Sequence, residues 1–150
     1  VAETNPGATP PLVAELEWQG DNRVLARSGD AQLLMDSPPL AGPTPVQALA
    51  FALAGCMAID VVVVMRRSRL ELTALRARLV AQRAQTDPKR LEKVAVHFTV
   101  SGEIPPDRVE HALALSREKY CSVWHSLRPD IEFTTSFEVT GLSARTSGPS

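Results

Sequence analysis

Between Val46 and Met65 the chain is an almost unbroken apolar run, interrupted only by Gln47 and Asp60. Its length matches the ~20 residues that a helix needs to cross a bilayer. It equally matches a helix at the centre of a protein core, apolar on every side. The run is rich in alanine, carries Asp60, and is followed by segments with the alternation of amphipathic strands. Those features favour the core helix over the membrane span. A chain of 150 residues is of single-domain size, too small to surround such a helix easily on its own. The expectation is a soluble chain whose long helix is covered partly by a second copy.

The same helix carries its own start signal. Thr44-Pro45-Val46-Gln47 places a threonine at the N-cap, a proline at the first helical position and a glutamine positioned to close a capping box. The helix should run to about Arg67, where Arg66, Arg67 and Arg69 sit near the negative end of its dipole. Upstream, Leu12 to Trp18, Arg23 to Ala26 and Ala31 to Met35 read as three short strands. They are separated by Gly20-Asp21-Asn22 and Ser28-Gly29-Asp30 turns. Downstream, two alternating strands are predicted, Leu75 to Gln82 and Val94 to Val100. A helix follows from Pro105-Pro106-Asp107, with Glu110 closing a second cap and Tyr120 in its apolar stripe. A short helix from Cys121 to Leu127 and a final strand over Ile131 to Val139 complete the order. The pattern is β-β-β-α-β-β-α-α-β, an α+β chain. One domain is expected over 12–141, with a flexible segment at 1–11 and a flexible tail at 142–150.

Composition removes several function classes. A formal charge of −1 supplies no field for nucleic acid or anionic lipid, and 5% aromatic residues leave little for base stacking. His97, His111 and His125 are scattered, and no Cys-x-x-Cys or His-x-x-x-His spacing occurs, so no metal set is expected. No Gly-rich phosphate loop or Gly-x-Ser-x-Gly elbow is present. The opening residues lack the basic and apolar regions of a signal peptide, and two cysteines are too few for a disulfide framework. A cytoplasmic setting with both thiols reduced at rest is the expectation.

Those two thiols remain. Cys56 lies mid-helix, where inert packing is the commoner fate of a cysteine. Cys121 lies between two predicted helices, and two readings stand level: backbone N–H groups of the new turn lower its pKa with His125 on the same face, or it is a half-buried cysteine beside an exposed histidine. Asp60, alone in the apolar run, needs a partner or a place at the rim.

The wording around both cysteines resembles the OsmC/Ohr family. Thr44 to Gln47 leading into Ala54-Gly55-Cys56-Met57-Ala58-Ile59-Asp60-Val61-Val62 is similar to its signature helix, and Leu115 to Val123 to its second cysteine motif. The resemblance covers about residues 12–141 and implies an OsmC-like fold, antiparallel sheets wrapped around long central helices in an intertwined homodimer. It implies a thiol peroxidase with no cofactor, in which Cys56 attacks an organic hydroperoxide, Cys121 resolves the sulfenic acid and a dithiol restores both. In the peroxidatic enzymes a glutamate at the third helical position pairs with an arginine that holds the thiolate. That position is Gln47 here, which is neutral, and the arginine would be Arg23 or Arg27, with Arg23 preferred. Two other readings stay open: a dimer that binds a small hydrophobic ligand, and a redox sensor.

Overall fold

The structure is a computed structural model that describes residues 7–141. Residues 1–6 and the expected tail at 142–150 lie outside the described residues. The backbone falls into two compact units that meet between Leu49 and Ala50.

The first unit holds an antiparallel meander of β1 (Glu15–Trp18), β2 (Val24–Ser28) and β3 (Ala31–Met35). The predicted strand from Leu12 begins three residues late. Leu12 stands exposed ahead of it, and Leu16 and Trp18 are exposed along it. Gly20 (φ 92°) and Asp21 (φ 46°) make the first reversal, and Gly29 (φ 56°) the second. Arg23 Nε donates to Asp36 Oδ2 at 3.1 Å, and the Ala41 N–H reaches the same oxygen at 3.0 Å. Burial alone would raise the Asp36 carboxyl, but the Ala41 N–H and the Arg23 guanidinium outweigh it and hold the group below its ordinary value. A depressed carboxylate supports folding above its unfolded pKa, and that support goes as pH falls through the folded one. Acid titration followed by Trp18 fluorescence should therefore loosen this hairpin region below about pH 4, and Asp36→Asn should remove that transition.

The long helix α1 runs over Pro45–Arg67, as its signals predict. Its capping box is formed in both directions. The Gln47 N–H donates to Thr44 Oγ1 at 3.2 Å, and the Thr44 N–H donates to Gln47 Oε1 at 2.9 Å. Leu53, Met57, Val61 and Met65, each one helical turn from the next, are buried. Phe51 and Ile59 face outward at 64% and 65% exposure. By length and composition α1 could cross a membrane; within the chain it buries this one stripe, and 22% of its apolar window is buried in all.

The second unit is built on β4 (Ala74–Arg83), β5 (Leu91–Ser101) and β6 (Glu132–Thr140), with β5 in the middle. β4 pairs antiparallel with β5, and β6 pairs parallel with it. Antiparallel strands can be joined by a short reversal, whereas the parallel pair needs a crossover. That crossover is α2 (Pro106–Leu115), a π-helical turn (Ser116–Tyr120) and α3 (Ser122–His125). Val94, Val96, Phe98 and Val100 alternate along one face of β5 and are fully or almost fully buried. Val109, Ala112 and Leu113 of α2 and Phe133 of β6 belong to the same core. The other face is polar: Lys93 pairs with Glu132, Thr99 donates to Glu138, and Ser101 meets Thr140.

Two expectations for the crossover need correction. α2 starts without a side-chain cap: Pro105 occupies the N-cap and has no hydroxyl or carboxylate to offer, so no box with Glu110 forms. The helix also does not carry its stripe through to Tyr120. The backbone widens into the π-turn after Leu115, and Tyr120 is left 43% exposed.

Gly102 closes β5 at φ 133°, with its backbone against Glu71. A Cβ there would sit 2.6 Å from the Glu71 carbonyl oxygen. Gly102→Ala should therefore cost about 1–3 kcal/mol, read as a lower midpoint in urea unfolding with unchanged slope.

Candidate functional site

Cys56 and Asp60 are one turn apart on α1, on the stripe beside the buried one, so their side chains share a face. Across from them the π-turn delivers two more groups. The Ser116 hydroxyl donates to Asp60 Oδ2 at 2.7 Å. The turn closes with the Cys121 N–H donating to the Ser116 carbonyl at 2.8 Å, a five-residue reach that a regular helix does not make. That closing bond ties the backbone of Cys121 to the residue that holds Asp60. Cys121 then takes an extended conformation and becomes the N-cap of α3, its sulfur accepting the Trp124 N–H at 3.4 Å.

The result is a cluster in which Cys56 Sγ, Cys121 Sγ and a carboxylate oxygen of Asp60 all lie within 4.8 Å of one another. Both cysteines are free thiols; Cys121 is buried, while Cys56 and Asp60 are half-buried. Trp124 stacks on Phe133 with ring centroids 4.2 Å apart, and the Arg117 guanidinium lies 5.3 Å over the same Phe133 ring.

Electrostatics separate the two thiols. Burial pushes the Cys121 thiol up. The Trp124 N–H opposes this, but contact with Cys56 and the charges of Cys56 and Asp60 add to the burial effect, leaving it at about 11 against an ordinary 9.0. The expectation that the new helical turn would lower this pKa is overturned, because one long N–H···S bond cannot offset burial beside two groups of negative character. Cys121 is held as the thiol. A cysteine with a raised folded-state pKa favours folding below its unfolded value, and that contribution is lost as pH rises through the folded one, here between about 9 and about 11. Alkylation of native Cys121 by iodoacetamide, followed by peptide mass spectrometry, should stay negligible near pH 8 and climb only as pH approaches that upper value.

The other candidates have bonds of their own. Gln47 spends its side chain on the α1 cap. Arg23 is engaged by Asp36, and Arg27 by Glu17 at 3.3 Å, all within the first unit. His125 is exposed, and its backbone N–H donates to the Cys121 carbonyl at 3.1 Å. Asp60 and Ser116 are the members that strand and helix periodicity does not single out together. The available signal was an acid in an apolar run one turn after a cysteine.

Residues 36–136 match the family of OsmC-like proteins. The chain belongs to the OsmC-like family. Protein YhfA of Escherichia coli K12 is 32% identical to this OsmC-like chain over 131 residues, 85% of the chain and 98% of YhfA. In fold it is similar to a hypothetical protein of Aquifex aeolicus, with a TM-score of 0.82 and 24% identity across 89% of this chain and 98% of that one. The organic hydroperoxide resistance protein OsmC of Legionella pneumophila shares the fold at a TM-score of 0.66 and 18% identity, covering 88% and 99% of the two chains. An OsmC-like, mixed α+β fold with two thiols in one cluster is consistent with redox chemistry.

Proposed function

We propose that the protein reduces organic hydroperoxides at the expense of a dithiol, with Cys56 as the attacking thiol and Cys121 as the resolving one. The observation that carries this reading is the meeting of two sulfurs, far apart in sequence, within 4.8 Å. Their unequal settings support the order of roles. Cys56 is the half-buried thiol that a peroxide can reach, and Cys121 is the buried one held protonated.

The Cys56 thiolate attacks the outer peroxide oxygen, the O–O bond breaks, and the alkoxide leaves to be protonated to an alcohol. Cys56 is then a sulfenic acid. Cys121 attacks that sulfur as its own proton passes to the departing hydroxide, releasing water and forming the disulfide. Bringing the sulfurs to a bond of about 2.05 Å requires the two side chains to close the remaining gap. An external dithiol returns both thiols by exchange and leaves as its own disulfide. The stacked Trp124 and Phe133 beside Cys121 favour apolar peroxides over hydrogen peroxide.

The reading includes a homodimer in the cytoplasm, where glutathione and thioredoxin pools keep thiols reduced. Only 22% of the apolar window of α1 is buried within one chain, and the outward Phe51 and Ile59 offer a second copy an apolar surface. Purified reduced protein should consume cumene hydroperoxide continuously when dithiothreitol is supplied. Consumption no faster than in dithiothreitol alone would remove the proposal.

A further inference from the structure

We infer that the Cys56, Asp60 and Cys121 cluster is a zinc site, formed when both thiols are reduced, with a fourth position open to water. The inference stands apart from the peroxide reading, since it asks nothing of a peroxide.

The donor set comes first. Among the described residues this is the one group of three such side chains that converges, and each contributes an atom within 4.8 Å of the other two. Zinc takes thiolate sulfur at about 2.3 Å and carboxylate oxygen at about 2.0–2.2 Å in a tetrahedron. Tetrahedral angles then place two sulfurs roughly 3.8 Å apart and a sulfur and an oxygen roughly 3.5 Å apart. From the 4.8 Å limit the sulfurs have to close by up to about 1 Å and each sulfur–oxygen pair by up to about 1.3 Å, a distance within reach of side-chain rotation. Cys56 and Asp60 need no tertiary adjustment to face the same ion, because a one-turn spacing puts both on one side of α1.

The groups behind the donors are also placed as a metal site requires. Ser116 is fully buried and its hydroxyl is spent on one oxygen of Asp60, which fixes the carboxylate plane and leaves the other oxygen to bind. The Trp124 N–H points at Cys121 Sγ, the donor arrangement that steadies a metal-bound thiolate. The π-turn joins these two supports, since the Cys121 N–H is bonded to the Ser116 carbonyl.

The choice of ion follows from the chemistry of the set. Two thiolates select a soft or borderline ion over magnesium or calcium, and a carboxylate oxygen favours zinc over copper(I). Three protein ligands, two of them half-buried, leave the fourth position on the accessible side. Binding releases the thiol protons. A bound zinc ion also occupies both sulfurs, so metal and disulfide exclude each other.

Cobalt(II) is the probe, because thiolate ligation gives a near-ultraviolet charge-transfer band and a tetrahedral site gives strong visible bands. Titrating the reduced full chain anaerobically should saturate both at one equivalent per chain, and zinc should abolish them. Cys56→Ser and Cys121→Ser should each lose the two-thiolate intensity. Asp60→Asn should weaken zinc binding by at least about tenfold in competition with a chromophoric chelator, and Ser116→Ala by about 10–100-fold. Circular dichroism checks the fold of each variant, and half-buried Cys56 and Asp60 keep the test available if a change at buried Ser116 unfolds the chain. Absence of a charge-transfer band while both thiols titrate as reduced would overturn the inference. So would cobalt and zinc binding left unchanged by Asp60→Asn.

Discussion

Cys56→Ser is expected to abolish turnover of cumene hydroperoxide, a loss on the order of 10³-fold or more, as is usual when the attacking group itself is removed. The fold should survive, because Cys56 is half-buried and serine is close to it in size. Cys121→Ser should behave differently. Its Cys56 can still react once per chain, so one equivalent of peroxide is consumed rapidly and a sulfenic acid accumulates, trappable by dimedone. Steady-state turnover with dithiothreitol should then slow or stop, according to whether the dithiol can reach Cys56 directly. Loss of both the first and later turnovers in Cys121→Ser, with Cys56→Ser unaffected, would reverse the assigned roles. The assignment rests on exposure and on the high pKa of Cys121, so the pair of variants tests the electrostatic argument as well as the chemistry.

Phe98→Ala should produce the largest loss of stability, about 3–5 kcal/mol. Phe98 lies at the middle of the central strand β5 and is fully buried, with Val96 and Val100 flanking it on the same face. Removing its ring leaves a cavity in a sheet pinned on both sides, by β4 through the Ala77 register and by β6 through Phe137. Neighbouring backbone cannot collapse into the space without breaking those ladders. For a domain of marginal stability, typically 5–15 kcal/mol, a loss of that size approaches unfolding at ambient temperature. Urea denaturation followed by circular dichroism measures it. A loss under about 1 kcal/mol would mean that the β5 face is not the centre of the core.

Much of this architecture was legible before any coordinates, and the reasons are local. α1 was visible at both ends because Thr44 and Gln47 form a reciprocal cap and because apolar residues fill every turn up to Arg66 and Arg67. Strands β4, β5 and β6 were visible as two-residue alternation. What local pattern could not supply was the backbone between Leu115 and Ser122. A π-turn has no periodic signature, so a continuous helix with Tyr120 in its stripe was the natural expectation. Pro105-Pro106 marked the start of α2 correctly but without the side-chain cap that the neighbouring acids suggested.

At the site, family resemblance brought the two cysteines together, and local rules did not. Asp60 stood out as an acid in an apolar helix, but its partner, Ser116, lies 56 residues on and carries no mark of that role. The scarcity of metal-ligand spacing in the sequence likewise says nothing about ligands that three-dimensional packing assembles from a helix and a turn. Gln47 and Arg23, which carry a chemical reading in the sequence, also form a helix cap and an ion pair.

The most direct test of the paired sulfurs is a count of free thiols by intact mass. Reduced protein receives one equivalent of cumene hydroperoxide and is then denatured and alkylated. The account predicts loss of both alkylation sites and a mass lower by two hydrogens per chain, with Cys56 and Cys121 linked in one peptide. Two alkylated cysteines and an unchanged mass would contradict it.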